Sequence, residues 1–418
     1  MSFSRLRTSA FWMLWTATAV ANLADGVFKL ALPLLATQLT DSPGLVAGVA
    51  FAVRLPWLLF ALFAGVIADR VDRRRTMIVA NTARVVVLGV LFVSIVMNFV
   101  TLPLIYAVAL LLGITETLAD TASASILPSM VPVERLELAN ARLVGAITVT
   151  NEFVGPPLGG ALAAISLGLA FATSSGLYLV AAVALVLMTG TYKPVATTRA
   201  PLVSELMSGV RYVWRNALLR TLAIIVAVMN IGWSAWAAVM VLYVIAPGPG
   251  GLTEFEYGIM LTSIGIGGFV GAIVAVPIVE RLGRRWAIGA DIVGTFLMLW
   301  IPAITANAWA IGAAAVLGGI GGSMWSIVVS AIRQQMVPDD MQGKTSGVFR
   351  LFGYGALSVG AALAGFIGEQ ISIPAAFAVC AVMTALLLVP FFTVITPEAL
   401  TVKPKRTSDL PEPIAGNA

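Results

Sequence analysis

The chain of 418 residues contains no histidine. That removes the imidazole proton shuttle, most zinc and haem sites, and any triad built on a histidine base. Its single cysteine, Cys380, sits inside an apolar run, so neither an internal disulfide nor a multi-cysteine metal site can form. No Gly-x-x-x-x-Gly-Lys-Ser/Thr sequence occurs, so there is no P-loop through which ATP would drive work. Charge is scarce as well. Only 11% of residues are charged, whereas a soluble domain carries about 25%. These absences argue against an enzyme, and no cofactor, metal or nucleic-acid partner is expected.

What the chain has instead is apolar length. Hydrophobic residues make up 59% of it, and the mean hydropathy is +0.98. Crossing the hydrocarbon core takes about 20 apolar residues at roughly 1.5 Å each. Twelve spans are expected, at 11–36, 44–68, 76–97, 102–126, 139–165, 168–190, 217–246, 256–279, 286–304, 307–331, 342–368 and 374–395. The first run is too long for a signal-peptide core and reads as a retained span. Cations then sort by loop. Arg5 and Arg7 precede span one, Arg70 and Arg73–Arg75 follow span two, and Arg281, Arg284 and Arg285 follow span eight. The alternate loops Thr37–Pro43, Asn98–Thr101, Pro247–Phe255 and Glu369–Ile373 hold no Lys or Arg. Positively charged loops stay cytoplasmic. Both termini are therefore expected inside a cytoplasmic or plasma membrane.

The expected organisation is a six-helix bundle over 1–191, a cytoplasmic linker with an amphipathic helix at 192–216, a second six-helix bundle over 217–396, and a disordered tail at 397–418. Internal repetition supports two halves. Met130-Val131-Pro132 matches Met336-Val337-Pro338, Asp69–Arg74 matches Glu280–Arg285, and Asn22 on span one matches Asn230 on span seven. Paired repeats can rock about a site near mid-membrane. In the linker, Leu206, Val210, Val213 and Trp214 recur at helical spacing, as an interfacial helix requires.

Gly65-Val66-Ile67-Ala68-Asp69-Arg70-Val71-Asp72-Arg73-Arg74-Arg75 resembles motif A of the major facilitator superfamily, Gly-x-x-x-Asp-Arg-x-Gly-Arg-Arg. Gly155-Pro156-Pro157-Leu158-Gly159-Gly160 resembles the core of motif C, which marks antiporters there. Leu127–Pro132 with Ala139-Asn140 is similar to the branch holding macrolide-efflux proteins and the enterobactin exporter. The resemblance spans nearly the whole chain. It implies an all-α membrane protein with twelve transmembrane helices in two pseudo-symmetric six-helix bundles. It also implies gating by motif A (Gly65, Asp69, Arg70, Arg73, Arg74, with Asp120) and a motif C made by Gly155, Pro156, Gly159 and Gly160. Two departures stand out: Asp72 replaces the second glycine of motif A, and span four lacks the usual basic residue. Physically, Gly65 allows close helix approach and Asp69 suits the positive end of a facing helix. The expected facing helix is span eleven, entered at Gly343-Lys344-Thr345-Ser346. On the plainer alternative these arginines only set topology.

Ionisable residues inside the membrane are costly and mark function by default. Asp25, Glu116 and Glu152 fall near mid-depth and are the candidates for proton coupling, with Asp25 first. A desolvating cavity favours the neutral carboxyl and a nearby cation the charged one, so a group held between the two can load and release a proton. Lys29 and Arg54 are the expected cavity partners, and a static pair of Asp25 with either is the competing reading. Asp120 is expected against the motif A arginines. Arg84, Arg142, Arg220, Asp291, Lys344 and Arg350 lie nearer the cytoplasmic end and are read as structural. Trp233, Trp236, Met240 and Trp325 are candidates for a substrate wall, since aromatic and thioether surfaces suit varied apolar ligands. Packing against lipid or protein is the alternative for each. The function expected is proton-coupled export of amphipathic or lipophilic small molecules such as drugs or a siderophore. The expected partners are substrate, protons and the lipid bilayer, acting on a monomer. Alternatives are coupled uptake, lipid movement, or a sensor that does not transport.

Overall fold

A computed structural model describes residues 3–132, 135–190, 192 and 202–400, without the side chains of 3–9, 61–70, 137, 202–206 and 339–340. The first half contains α1 (Phe3–Thr37), α2 (Pro43–Arg70), α3 (Arg73–Val96), α4 (Leu102–Ile126), α5 (Leu136–Ile147), α6 (Gly155–Ile165) and α7 (Leu167–Leu187). The linker helix is α8 (Leu202–Arg215). The second half contains α9 (Ala217–Val244), α10 (Glu254–Leu282), α11 (Arg284–Ile304), α12 (Ala308–Met336), α13 (Asp339–Gln370), α14 (Ile373–Leu386) and α15 (Leu388–Thr393).

Eleven described stretches are long and apolar enough to cross a membrane. The twelfth crossing, span five, is not the continuous helix expected over 139–165. It runs as α5, a π-helical segment Thr148–Val154, and α6. Pro156 and Pro157 supply the cause. A proline offers no N–H and its ring collides with the carbonyl four residues back, so the α ladder cannot continue through this turn. The wider turn takes over, with Gly155 N–H donating to the Thr150 carbonyl five residues back. The tail expected from Pro397 opens with a helical turn, α16 (Pro397–Leu400), whose Leu400 is buried. Residues 401–418 lie outside the described residues.

The two halves repeat one another in contact pattern. Spans two and four, three and four, three and six, one and six, and one and five pack together. So do their counterparts eight and ten, nine and ten, nine and twelve, seven and twelve, and seven and eleven. The repeat extends to single side chains. Asn22 of span one accepts from Asn151 of span five at 3.1 Å, and Asn230 of span seven donates to the Gly353 carbonyl of span eleven at 3.2 Å. Glycine lets spans eight and ten interlock: a Cβ on Gly271 would meet the Ile320 backbone and one on Gly319 the Ile264 carbonyl.

The halves approach closely at the cation-poor end. Span two meets span eleven where Pro43 and Gly44 face Gly368 and Gly365, and span five meets span eight where Pro156 faces Gly258. Glu369 of span eleven fastens this end. Its carboxylate accepts from Ser42 Oγ at 2.6 Å and Gly44 N at 3.2 Å, at the N-terminus of α2. An acid there complements the exposed N–H groups of the first turn.

Candidate functional site

A cavity of about 350 Å³ lies between the halves, lined by Lys29 and Arg54 from one side and Asn230, Trp233 and Tyr257 from the other. A second pocket of about 390 Å³ shares Asn230 and Leu357 with it and leads along spans seven, ten and eleven to Arg333 and Arg350. The two pockets therefore adjoin at Asn230 and Leu357, between mid-depth and the cation-rich end.

The expected acids separate into two systems. Asp25 is 3% exposed. Tyr178 of span six donates to its Oδ1 at 2.5 Å, and Arg84 of span three stands 3.9 Å from the same atom. The Arg84 guanidinium lies over the Tyr178 ring at 4.9 Å and donates to Thr115 of span four at 3.3 Å. Asp25 thus pairs with Arg84, not with Lys29 or Arg54, and Arg84 belongs to this buried cluster rather than snorkelling. Lys29 turns instead to Glu116 of span four, at 3.0 Å, with the Lys29 side chain 26% exposed and that of Glu116 7%. Asp25 and Lys29 share a helix but serve different partners. Glu152 is exposed and belongs to the π segment.

Motif C joins three helices. A Cβ on Gly155 would collide with Gly26, and one on Gly159 would press against the Val27 backbone at 3.1 Å, both of span one. Gly160 faces the Glu254 carbonyl at the start of span eight. The run therefore holds span five against span one and against the opposite half together. In motif A, the side chains of Gly65, Asp69 and Arg70 lie outside the described residues. Arg74 donates to the carbonyls of Leu185 and Val186 at 2.7 and 2.6 Å, closing the end of α7. It is not turned to Asp120, which is exposed. Arg73 approaches the same segment, its N–H donating to the Tyr192 carbonyl at 3.4 Å. Asp72, where the motif has glycine, accepts from Arg75 N and Tyr192 N at 3.2 and 3.0 Å. It caps span three and ties it to the chain leaving span six. The entrance of span eleven is met by the linker helix, where Gly209 abuts the Lys344 backbone.

The aromatic candidates divide. Trp233 lines the central cavity and donates to Thr295 at 3.3 Å, and Trp325 lines the second pocket. Trp236 and Met240 do not reach a wall: both are buried in the apolar core. Two side chains escaped the sequence reading as lining groups. Arg333 lies two residues past the expected end of span ten at 331, but the helix continues to Met336 and turns it into the pocket. Arg350, read as structural, lines the same pocket. The signal was present, since Trp325, Val329 and Arg333 repeat every four residues along one face, as do Phe349, Gly353 and Leu357.

Two interlocked bundles around a central cavity that is lined toward one end define a secondary transporter rather than an enzyme. The chain belongs to the transmembrane secretion effector family, MFS_3, whose model matches residues 1–415. It is similar to the multidrug efflux pump Tap of Mycobacterium tuberculosis (strain ATCC 25618 / H37Rv), at 29% identity over 393 residues, covering 89% of this chain and 90% of that protein. It is 23% identical over 385 residues to the enterobactin exporter EntS of Shigella boydii serotype 4, covering 89% and 88%. Among solved structures, a bacterial homologue of the iron transporter ferroportin in its inward-facing state superposes with a TM-score of 0.69, at 17% identity, over 94% of this chain and 99% of that one.

Proposed function

We propose that this protein is a proton-driven exporter of amphipathic small molecules. It sits as a monomer in the cytoplasmic membrane with the cation-rich end and both termini inside. The loop charges support that orientation. On it, the observed state presents its cavity to the cytoplasm and is sealed outside by the contacts of Glu369, Gly44 and Gly160. Motif C and the similarity to Tap and EntS support export.

The observation that carries the coupling is the Lys29–Glu116 pair. One pH unit of gradient is worth about 1.4 kcal/mol per proton. Breaking a fully buried ion pair costs about 3–5 kcal/mol, more than two such units supply. Asp25, locked by Arg84 and Tyr178, is therefore a poor carrier. Glu116 is the better one, because its partner Lys29 is part-exposed on the cavity wall. A proton on Glu116 and the pair with Lys29 exclude each other, so loading from outside opens the contact between spans one and four and release inside restores it. Glu152 stands in reserve on the π segment.

Inside-out vesicles loaded with a pH gradient and given a substrate of Tap-type pumps test this. Glu116→Gln should abolish substrate-dependent proton release while leaving substrate binding within about threefold. Coupling retained in Glu116→Gln and lost in Glu152→Gln would move the role to Glu152. Coupling retained in both would refute the scheme.

A further inference from the structure

The second pocket has a chemistry of its own. Arg333 of span ten and Arg350 of span eleven both line it. The Arg333 guanidinium lies over the Phe349 ring at 4.6 Å, and its Nε is buried without a hydrogen-bond partner. Neither arginine forms an ion pair among the described residues, and no carboxylate is among the lining groups. The shortage is built into the sequence. Spans seven and ten carry no acid at all. Span eleven has Asp339 and Asp340 at its start and Glu369 at its far end. Asp340 lies ten residues before Arg350, about 15 Å along the axis. Around the cations stand Trp325, Phe349 and Tyr354, with Asn230, Ser326 and Ser330 as neutral polar groups.

Two like charges facing one pocket repel, and an orphaned donor in a sheltered site is costly. Both are relieved by an anion, which guanidinium groups grip through paired hydrogen bonds. The ring-bearing walls offer stacking to a flat apolar body beside that anion. An arginine that serves only orientation need not line a cavity, as Arg333 and Arg350 both do.

We propose that this pocket is an anion subsite, and that the molecules carried are aromatic amphiphiles bearing a carboxylate, sulfonate or comparable acid, with cationic amphiphiles disfavoured. Arg333 and Arg350 hold the acid while Trp325 and Tyr354 flank the ring. The proposal rests on the export reading for its transport half. The subsite itself does not, because it lies in the half opposite Lys29–Glu116 and anion capture there does not compete with that pair.

The test uses three matched fluorophores: dansylglycine (anionic), dansylamide (neutral) and dansylcadaverine (cationic). Binding to the full-length protein in lipid nanodiscs is read by energy transfer from tryptophan. Dansylglycine should bind at least tenfold more tightly than dansylamide, and dansylcadaverine no better than dansylamide. Arg350→Gln, at an exposed position, should weaken dansylglycine about tenfold and change dansylamide less than twofold. Arg350→Lys should recover part of the loss. Arg333→Gln should act alike, and Arg350→Gln carries the test if the Arg333 variant does not fold. Equal binding of the three fluorophores, or equal loss of all three in Arg350→Gln, would overturn the subsite. Proton-driven movement of dansylglycine in vesicles is scored separately. Arginine-dependent binding without such movement would leave the subsite standing and sink the export reading.

Discussion

Replacing Arg84 with methionine keeps the side-chain volume near the original and strands Asp25 inside the first bundle. The carboxylate would retain the Tyr178 hydroxyl at 2.5 Å and lose its cation at 3.9 Å. Both members of the pair are nearly sealed from solvent, at 3% and 2% exposure. Removing one partner of a buried pair costs about 3–5 kcal/mol. Tyr178→Phe removes a single hydrogen bond to a charged group and should cost about 1.5–3 kcal/mol. The Asp25→Asn/Arg84→Met double variant removes both charges together. It should be more stable than Arg84→Met alone, with a coupling of about 2–3 kcal/mol, at the upper end for side chains in contact. Unfolding of the purified variants in mixed micelles, followed by tryptophan fluorescence, gives the cycle. A cost below about 1 kcal/mol for Arg84→Met, or additivity in the double variant, would refute the assignment of this cluster as a structural clamp.

Glu369→Ala removes two hydrogen bonds across the sealed end and should shift population away from the observed state by about fivefold, since about 1 kcal/mol separates such populations. The double-mutant cycle of Glu369→Ala with Ser42→Ala should then give a coupling of about 1 kcal/mol in unfolding of the purified protein, and additivity would count against the latch. Trp236→Ala should cost about 3–5 kcal/mol of stability as a core deletion. Trp233→Ala, half-buried, should cost less, about 1–2 kcal/mol, and weaken substrate binding, so the reverse pattern in thermal melts and transport assays would reassign the wall.

Span number, spacing and duplication were legible because apolar length and the cation alternation are local properties of the chain. The break in span five was also written locally, in Pro156-Pro157, though its form as a π turn needed the backbone. Partner choice was not legible. Asp25 sits four residues from Lys29, yet Arg84, 59 positions away, claims it, because packing of spans one, three and six decides which side chain arrives. Trp236 and Met240 lie off the face that Asn230, Trp233, Ser234 and Ala237 present to the cavity, a face marked in the sequence only by two small polar side chains in an otherwise apolar stretch. Arg333 and Arg350 were hidden by a true regularity: cations gather at the inner end of membrane proteins, so two with a different job attract no notice. Asp72 looked like a defect in motif A until its two oxygens were seen capping span three and holding Tyr192.

The fastening of Ser42 and Gly44 to Glu369 needs no lysine or arginine. On the proposed orientation, a conventional ion-pair lock on that side would have placed a cation next to a loop that has none, against the charge bias that sets topology. Using the N-terminus of α2 as the positive member avoids that conflict, so this closure can be strengthened or loosened in evolution without altering the loop charges that direct insertion.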